Sequence, residues 1–160
     1  MAPTVSIIIP VFNCLEFTKQ CLGSLLQNTP QGLFELIIID NGSSDGTSEY
    51  LRKFTPTGSI ISNPQNIGFA RACNQGASKA QGKYLLFLNN DTQPEPKWLE
   101  ELIAGIEGDK TAGIIGSKLL FPDGTVQHAG VAFFNDITPI HLYAGCSGQA
   151  PYVNKKRNFY

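Results

Sequence analysis

The stretch "FELIIIDNGSSDGT", Phe34 to Thr47, decides how the chain folds. Leu36 to Ile39 is a continuous apolar run, which reads as a strand buried on both faces rather than one alternating in and out. Asp40-Asn41-Gly42 stops it with turn chemistry. Beyond the break, Tyr50, Leu51 and Phe54 recur on one side of a helix, with Ser44 or Asp45 as candidate N-caps. Strand, polar tip and helix make the unit of a parallel α/β sheet.

The unit recurs along the chain. Val5 to Ile9 is a short β-branched run, and Leu15, Leu22, Leu25 and Leu26 follow at helical spacing, ending near Thr29-Pro30. Ser59-Ile60-Ile61 reads as a third strand. Gly68 to Gln81, with Ala70, Ala72, Cys73, Ala77 and Ala80, suits a helix lying close to a sheet. Tyr84 to Leu88 is the fourth strand, and Pro96 opens a helix with Trp98, Leu99, Leu102, Ile103 and Ile106 on one face. Gly113-Ile114-Ile115-Gly116 is expected to begin a fifth strand. Phe121-Pro122-Asp123-Gly124 reads as a β-turn, and residues 135–160 lack clear periodicity, which points to partial disorder. The expected fold class is therefore α/β, a mainly parallel central sheet with helices on both faces.

Right-handed crossovers place the C-terminal ends of parallel strands on one edge, where ligands of open α/β sheets bind. Four tips meet there: Pro10 to Asn13, Asp40 to Asp45, Asn63 to Asn66, and Asn89 to Thr92. They carry amides, hydroxyls and three carboxylates, and so locate a polar site. Asp91 and the oxygens around it are hard donors, suited to Mg²⁺ or Mn²⁺ rather than zinc. One carboxylate suffices if a ligand phosphate completes the metal shell. Turns favour the same residues, so on pattern alone a turn and a site weigh equally at Asn89 to Thr92.

Composition narrows the classes further. The 160 residues suit one domain, or one domain and the start of another, and 42% hydrophobic with 16% charged residues describe a globular chain with a core. A net charge of −1 argues against nucleic acid as a partner. No signal peptide pattern opens the sequence and no apolar run approaches the roughly 20 residues that span a bilayer. Cys14, Cys21, Cys73 and Cys146 show no zinc spacing and read as reduced cysteines of a cytoplasmic protein, with Cys21 and Cys73 in the core. Cys14 and Cys21 lie seven residues apart on the expected first helix, too far for a disulfide. Neither G-x-x-x-x-G-K-[ST] nor G-x-G-x-x-G after the first strand is present, and Asp40 to Gly46 does not fit an EF-hand loop. His128 reads as a packed or hydrogen-bonded histidine.

Five segments together give the chain a family resemblance: "VSIIIPVFN", "FELIIIDNGSSDGT", "NPQNIGFARACNQG", "GKYLLFLNNDTQPEPKWLEEL" and "GIIGSKLLFPDGTVQHAGVAF". In that order they resemble the family 2 glycosyltransferases of the GT-A fold, most closely the bacterial rhamnosyltransferase-like branch linked to cell-surface polysaccharide biosynthesis. The resemblance implies a nucleotide-diphosphate-sugar donor (a UDP- or dTDP-sugar), Mg²⁺ or Mn²⁺, and transfer with inversion to a glycan or lipid-linked acceptor. It implies that Pro10, Phe12 and Asn13 line the nucleoside pocket with Glu16 nearby, and that Asp40 and Asn41 face the base and ribose. Asn66, Gly68 and Arg71 would lie near the diphosphate or nucleoside. Asn89-Asn90-Asp91 falls on the family's D-x-D motif, with Asp91 as the metal contact and Asn89 in place of the first aspartate. Relatives often carry a second aspartate where Asn41 stands, reading the N–H of uracil.

The carboxylate base of such enzymes lies in the acceptor-binding half, and neither Asp123 nor Asp136 sits in the expected motif. Residues 1–120 are thus expected to form the donor-binding region and 121–160 the start of the acceptor-binding region, with the base beyond Tyr160. Lipid-linked acceptors would place the full-length enzyme peripherally at the inner face of the cytoplasmic membrane. Two rivals carry different chemistry. A sugar-phosphate nucleotidyltransferase needs a glycine-rich basic loop that "PVFNCLEFTK" lacks, and a non-catalytic nucleotide-sugar binding module needs no base at all.

Overall fold

The apolar runs form the sheet. In the computed structural model, which describes residues 2–54, 58–133 and 137–155, β1 (Val5–Val11) and β2 (Phe34–Asp40) pair in parallel from Val5↔Phe34 to Val11↔Asp40. Every residue of the two is buried except the half-buried Glu35. Strands β3 (Gly58–Ser62) and β4 (Tyr84–Phe87) flank them in parallel, giving the order β3-β2-β1-β4. Buried on both faces, the central strands β1 and β2 have no reason to alternate, which is why they read as continuous apolar runs, whereas the edge strands β3 and β4 are only partly buried.

The order also places the helices. The path β1 to β2 to β3 steps one way across the sheet, so right-handed crossovers put α1 (Leu15–Asn28) and α2 (Thr47–Lys53) on one face. The step from β3 back past β1 to β4 puts α3 (Phe69–Ala77) on the other. There Ala72 packs with Ile8, Ile37 and Ile39, and Ile61, Ala77 and Ala80 extend the cluster. A methyl group on Gly76 would lie 2.5 Å from Ile8 Cγ2, so α3 rests almost directly on the sheet. The small residues of 68–81 serve that approach.

Contacts divide the chain into two compact units, Met1–Trp98 and Leu99–Tyr160. The first unit holds the sheet and α1 to α3. The second holds most of α4 (Trp98–Gly108) and two antiparallel pairs, β5 (Leu119–Leu120) with β6 (Val126–His128) and β7 (Val131–Phe133) with β8 (Pro139–His141). Gly124 N–H donates to Phe121 O at 2.9 Å, closing the expected turn between β5 and β6.

Several local expectations change. Residues 113–116 form no strand, and Ile114 is 92% exposed, because two isoleucines between glycines are too short and too flexible to hold an edge. The helix expected from Pro96 starts at Trp98, since Lys97 is left-handed with φ 68° and breaks helical continuity. Helix α3 ends at Ala77, and the chain to Ala80 continues in tight turns. Strand β8 and a bridge between Thr125 and Ser147 give order within 137–155, where partial disorder was expected, while Asp136 and residues 156–160 lie outside the described residues. Cys21 and Cys73 are buried and all four cysteines are free, as their spacing predicts.

Candidate functional site

Because the chain reverses direction across the sheet between β1 and β4, the tips of those strands diverge and leave a crevice. A cleft of about 240 Å³ opens there, lined by Pro10, Val11, Phe12, Asn41, Asn66, Phe69, Asn89, Asn90 and Asp91. It lies wholly within the first compact unit.

The β1 tip is turned by two consecutive left-handed residues, Asn13 (φ 57°) and Cys14 (φ 60°). Asparagine tolerates that conformation, and the loop it makes is tied to the β2 tip. Asn13 N–H donates to Ser43 Oγ at 2.8 Å, and Ser44 N–H donates back to Asn13 Oδ1 at 2.8 Å. Phe12 is left 46% exposed at the cleft.

The β2 tip is held by its own side chains. Asp40 is 2% exposed, and both carboxylate oxygens are taken, one by Ser43 N–H at 3.0 Å and one by the Ser48 hydroxyl. The structure thus commits Asp40 to the loop rather than to the cleft. Asp45 bridges two helix starts, accepting Thr47 N–H at 3.1 Å and Leu15 N–H at 3.0 Å. These bonds, that of the Thr47 hydroxyl foremost, hold its carboxyl below the ordinary range. The helix begins at Thr47 with Gly46 as its N-cap, so neither Ser44 nor Asp45 holds that position, although Asp45 just before it takes the Thr47 N–H.

Asn41 is 3% exposed and sits at the centre of an amide network. Its Oδ1 accepts Ile67 N–H at 3.1 Å and Asn63 Nδ2 at 3.2 Å, while its Nδ2 donates to Asn66 Oδ1 at 2.9 Å. Asn63 also exchanges two bonds with Gln75 of α3. Loop 63–68 is thereby fastened to β2 and α3, which sets Asn66 and Phe69 at the rim.

At the β4 tip, Asn89 O accepts both the N–H and the hydroxyl of Thr92, at 3.3 and 2.7 Å, closing a turn. Asn90 Nδ2 donates to Thr18 Oγ1 of α1 at 3.0 Å. The Asp91 carboxylate is exposed and has no hydrogen-bond or ion-pair partner among the described residues. Beneath the turn, burial pushes the Cys21 thiol up to about 11 against a hydrogen bond from Thr92 that lowers it, and the charge of Asp91 adds to the rise. Cys21 therefore stays protonated, and its thiol donates to Asn89 O at 3.6 Å. No group of three or more His, Cys, Asp or Glu fit to hold a metal occurs among the described residues. Among the described residues, Asp91 is the one carboxylate lining the cleft.

Of the residues expected at the site, Pro10, Phe12, Asn41, Asn66, Asn89, Asn90 and Asp91 are brought together around the cleft. Asn13, Glu16, Asp40, Gly68 and Arg71 do not line it. Glu16 pairs with Lys19 at 2.7 Å on the exposed side of α1, and Arg71 is exposed on α3. Gly68 (φ 89°) leads into α3 and donates its N–H to Asn66 Oδ1 at 2.8 Å. Phe69, 60% exposed, joins the site unforeseen. Its signal was a lone aromatic opening a helix of small residues.

Comparison with known proteins identifies this architecture. The family described as "Glycosyl transferase family 2" matches residues 6–144. The chain is 34% identical over 127 residues to "Glycosyltransferase AglE" of Haloferax volcanii, covering 76% of this chain and 42% of that protein. It is 36% identical over 132 residues to "O-antigen biosynthesis protein RfbC" of Myxococcus xanthus, covering 81% of this chain and 10% of that protein. The chain thus spans less than half the length of either relative. The mannosyltransferase PcManGT of Pyrobaculum calidifontis, solved with GDP-Man and Mn²⁺, superposes with a TM-score of 0.64 at 20% identity, over 77% of this chain and 37% of that one. That likeness shows the fold, which is GT-A. With the family match running from β1 through β8, the chain belongs to glycosyl transferase family 2.

Proposed function

We propose that the cleft binds a nucleotide-diphosphate sugar, and that the protein transfers the sugar with inversion to a glycan or lipid-linked acceptor. The observation that carries this reading is Asp91, an unpartnered carboxylate lining a polar and aromatic cleft at the switch point of the sheet. The rings of Phe12 and Phe69 offer faces on which a planar base can stack. A carboxylate left without an internal partner retains its oxygens for a hard cation, and Mg²⁺ or Mn²⁺ bound by one carboxylate completes its shell from phosphates and water. Asp91 would hold that cation, which stabilises charge on the departing diphosphate. Asn89 and Asn90 precede Asp91 and supply amides, not charge, so the donor's phosphates meet little repulsion. The GDP-Man and Mn²⁺ bound by the mannosyltransferase neighbour support the same pairing of nucleotide sugar and cation.

The reading assigns residues 1–120 to donor binding and 121–160 to the start of the acceptor-binding region. It assigns the base that deprotonates the acceptor to a part of the protein C-terminal to Tyr160, and the acceptor to the bacterial cell-surface glycans. Peripheral attachment of the whole enzyme at the inner membrane face belongs to the same proposal. No helix among the described residues is long and apolar enough to cross a membrane.

Calorimetric titration tests the donor assignment. UDP, dTDP and GDP are titrated with and without Mn²⁺ into the wild-type protein and Asp91→Ala. At least one nucleotide is expected to bind with metal-dependent affinity, and Asp91→Ala to lose roughly tenfold or more of it while its thermal midpoint stays put, since exposed, unpartnered groups contribute little to stability. The proposal is overturned by metal-independent or absent binding of every nucleotide.

A further inference from the structure

The amides around the cleft are not free to turn either end outward. A backbone N–H can only donate, so any side-chain amide atom that receives one must be the oxygen. Asn41 Oδ1 receives Ile67 N–H at 3.1 Å, Asn66 Oδ1 receives Gly68 N–H at 2.8 Å, and Asn13 Oδ1 receives Ser44 N–H at 2.8 Å. The first two oxygens are filled a second time, by Asn63 Nδ2 at 3.2 Å and Asn41 Nδ2 at 2.9 Å. Two lone pairs each are thereby used. What remains to Asn41 is one N–H, and to Asn66 its whole NH₂ group.

The backbone acceptors beside them are each engaged once as well. Val11 O takes Asn41 N–H at 2.8 Å, and Asp40 O takes Asn63 N–H at 2.8 Å. Asp40's carboxylate is closed by Ser43 and Ser48. On the β4 side the polarity reverses. Asn90 spends an N–H on Thr18 and keeps its Oδ1, and Asp91 keeps both oxygens. The cleft thus has a donor end at Asn41 and Asn66 and an acceptor end at Asn90 and Asp91.

We propose that Asn41 and Asn66 read the nucleobase by donating, so that the base must present a carbonyl oxygen or unprotonated ring nitrogen to residue 41, and no base N–H is recognised there. The inference rests on the donor-binding reading above and adds the sense of recognition: residue 41 selects an acceptor. A base N–H placed against Asn41, which is 3% exposed, would meet another N–H. The mismatch leaves two donors unpaired, which buried hydrogen-bonding sites reject strongly.

The test compares nucleotides that exchange donor for acceptor on one edge. UDP and CDP differ in this way (N3–H and a carbonyl against N3 and an amine), as do GDP and ADP. Affinities for whichever pair binds are measured with Mg²⁺ in wild type and Asn41→Asp. The carboxylate of that variant offers only acceptors, so the preference within the pair should shift by roughly tenfold or more against the member the wild type favours. A merely structural loss weakens both members alike and leaves the ratio unmoved. A ratio within about threefold of wild type overturns the assignment. The second measurement needs no variant: in ¹⁵N-labelled wild type, the Asn41 side-chain NH₂ resonance should move as nucleotide saturates. An Asn41 signal that stays in place at saturation overturns the assignment as well. Absence of binding by all four of these nucleotides and by dTDP overturns the donor reading itself, whereas binding with an unmoved ratio overturns only the role of Asn41.

Discussion

Gly42 links the fold to the cleft, and Gly42→Ala is the perturbation that measures the link. The residue lies at φ 83°, where an L side chain costs roughly 1–2 kcal/mol. A Cβ built there would stand 2.7 Å from both Cα and C of Gln65, well inside the 3.4 Å at which ordinary contact begins. Both obstacles are backbone, which has no rotamer by which to yield. Loop 65–66 would have to withdraw by about 0.7 Å, and forced overpacking of this kind costs about 1–3 kcal/mol. The loss should reach about 2–5 kcal/mol, read from urea unfolding with an unchanged slope. Gly32→Ala is the control. It has φ 90° but nothing within 4 Å of its Cβ, so it carries the conformational strain alone. The excess loss in Gly42→Ala therefore isolates the close approach of the two loops. Withdrawal of the loop also pulls Ile67 N–H and Asn66 away from Asn41, and nucleotide affinity should fall on the order of tenfold or more. Equal stability losses in the two variants, with nucleotide binding retained, would refute the reasoning.

Other perturbations separate contributions of different kind. Gly76→Ala should lower the free energy of urea unfolding by about 1–2 kcal/mol, because contact with Ile8 Cγ2 at 2.5 Å outweighs the roughly 1 kcal/mol that alanine gains in a helix; a raised midpoint would place α3 further from the sheet. Asp45→Ala should cost about 1–2 kcal/mol, since Thr47 and Leu15 both lose their capping acceptor. Because the Asp45 carboxyl is held low, its contribution is present above its ordinary value of 3.8 and lost as pH falls below it, so the two proteins should converge in acid. His128 contacts His141, with 2.8 Å between their Nδ1 atoms, and burial, then the His141 charge, lowers its pKa. Its stabilisation is thus full above the ordinary value of 6.5 and declines as pH drops below it. Unfolding midpoints of His128→Gln should vary less between pH 7.5 and pH 5 than those of wild type, and parallel curves would exclude the pair as the cause.

The two central strands were legible because burial on both faces forces continuous apolar runs, and β3 and β4, more exposed at the edges, were legible from shorter apolar runs that end in turn chemistry. The run at 113–116 misled because apolar character cannot show that flanking glycines leave a segment too short to pair. At the site, the sequence located the tips but not the assignment of work among them. Asp40 and Asp91 are the same residue type after similar strands, yet one is consumed by Ser43 and Ser48 and the other is left open. Spacing carries no information about which loop N–H groups need an acceptor, because that depends on the path of the neighbouring tip. The amide network has the same origin. Asn41 lies 25 residues from Asn66, and only the β2 to β3 crossover brings them to 2.9 Å. Phe69 stayed hidden because an aromatic residue at a helix start is read first as core.

The division of labour in the cleft has a thermodynamic consequence. A buried carboxylate costs heavy desolvation unless it is well paired, so the tip that must be built rigidly uses neutral amides and one closed aspartate. The open charge is left on the exposed turn at Asp91, where water solvates it until a ligand arrives. A single exposed carboxylate is a poor cation site alone, because one ligand cannot replace the water shell of Mg²⁺. A diphosphate set beside it supplies further oxygens, so cation and nucleotide must each raise the affinity of the other by the same factor. In the proposed complex the donor end at Asn41 and Asn66, preformed and uncharged, would contribute to nucleotide affinity whether or not the cation is present. Substitutions there should change affinity without changing the coupling, whereas Asp91→Ala should abolish the coupling and leave the metal-free affinity nearly intact. If both ends moved the coupling together, the cleft would be one cooperative unit rather than a rigid base site joined to an ion-dependent phosphate site.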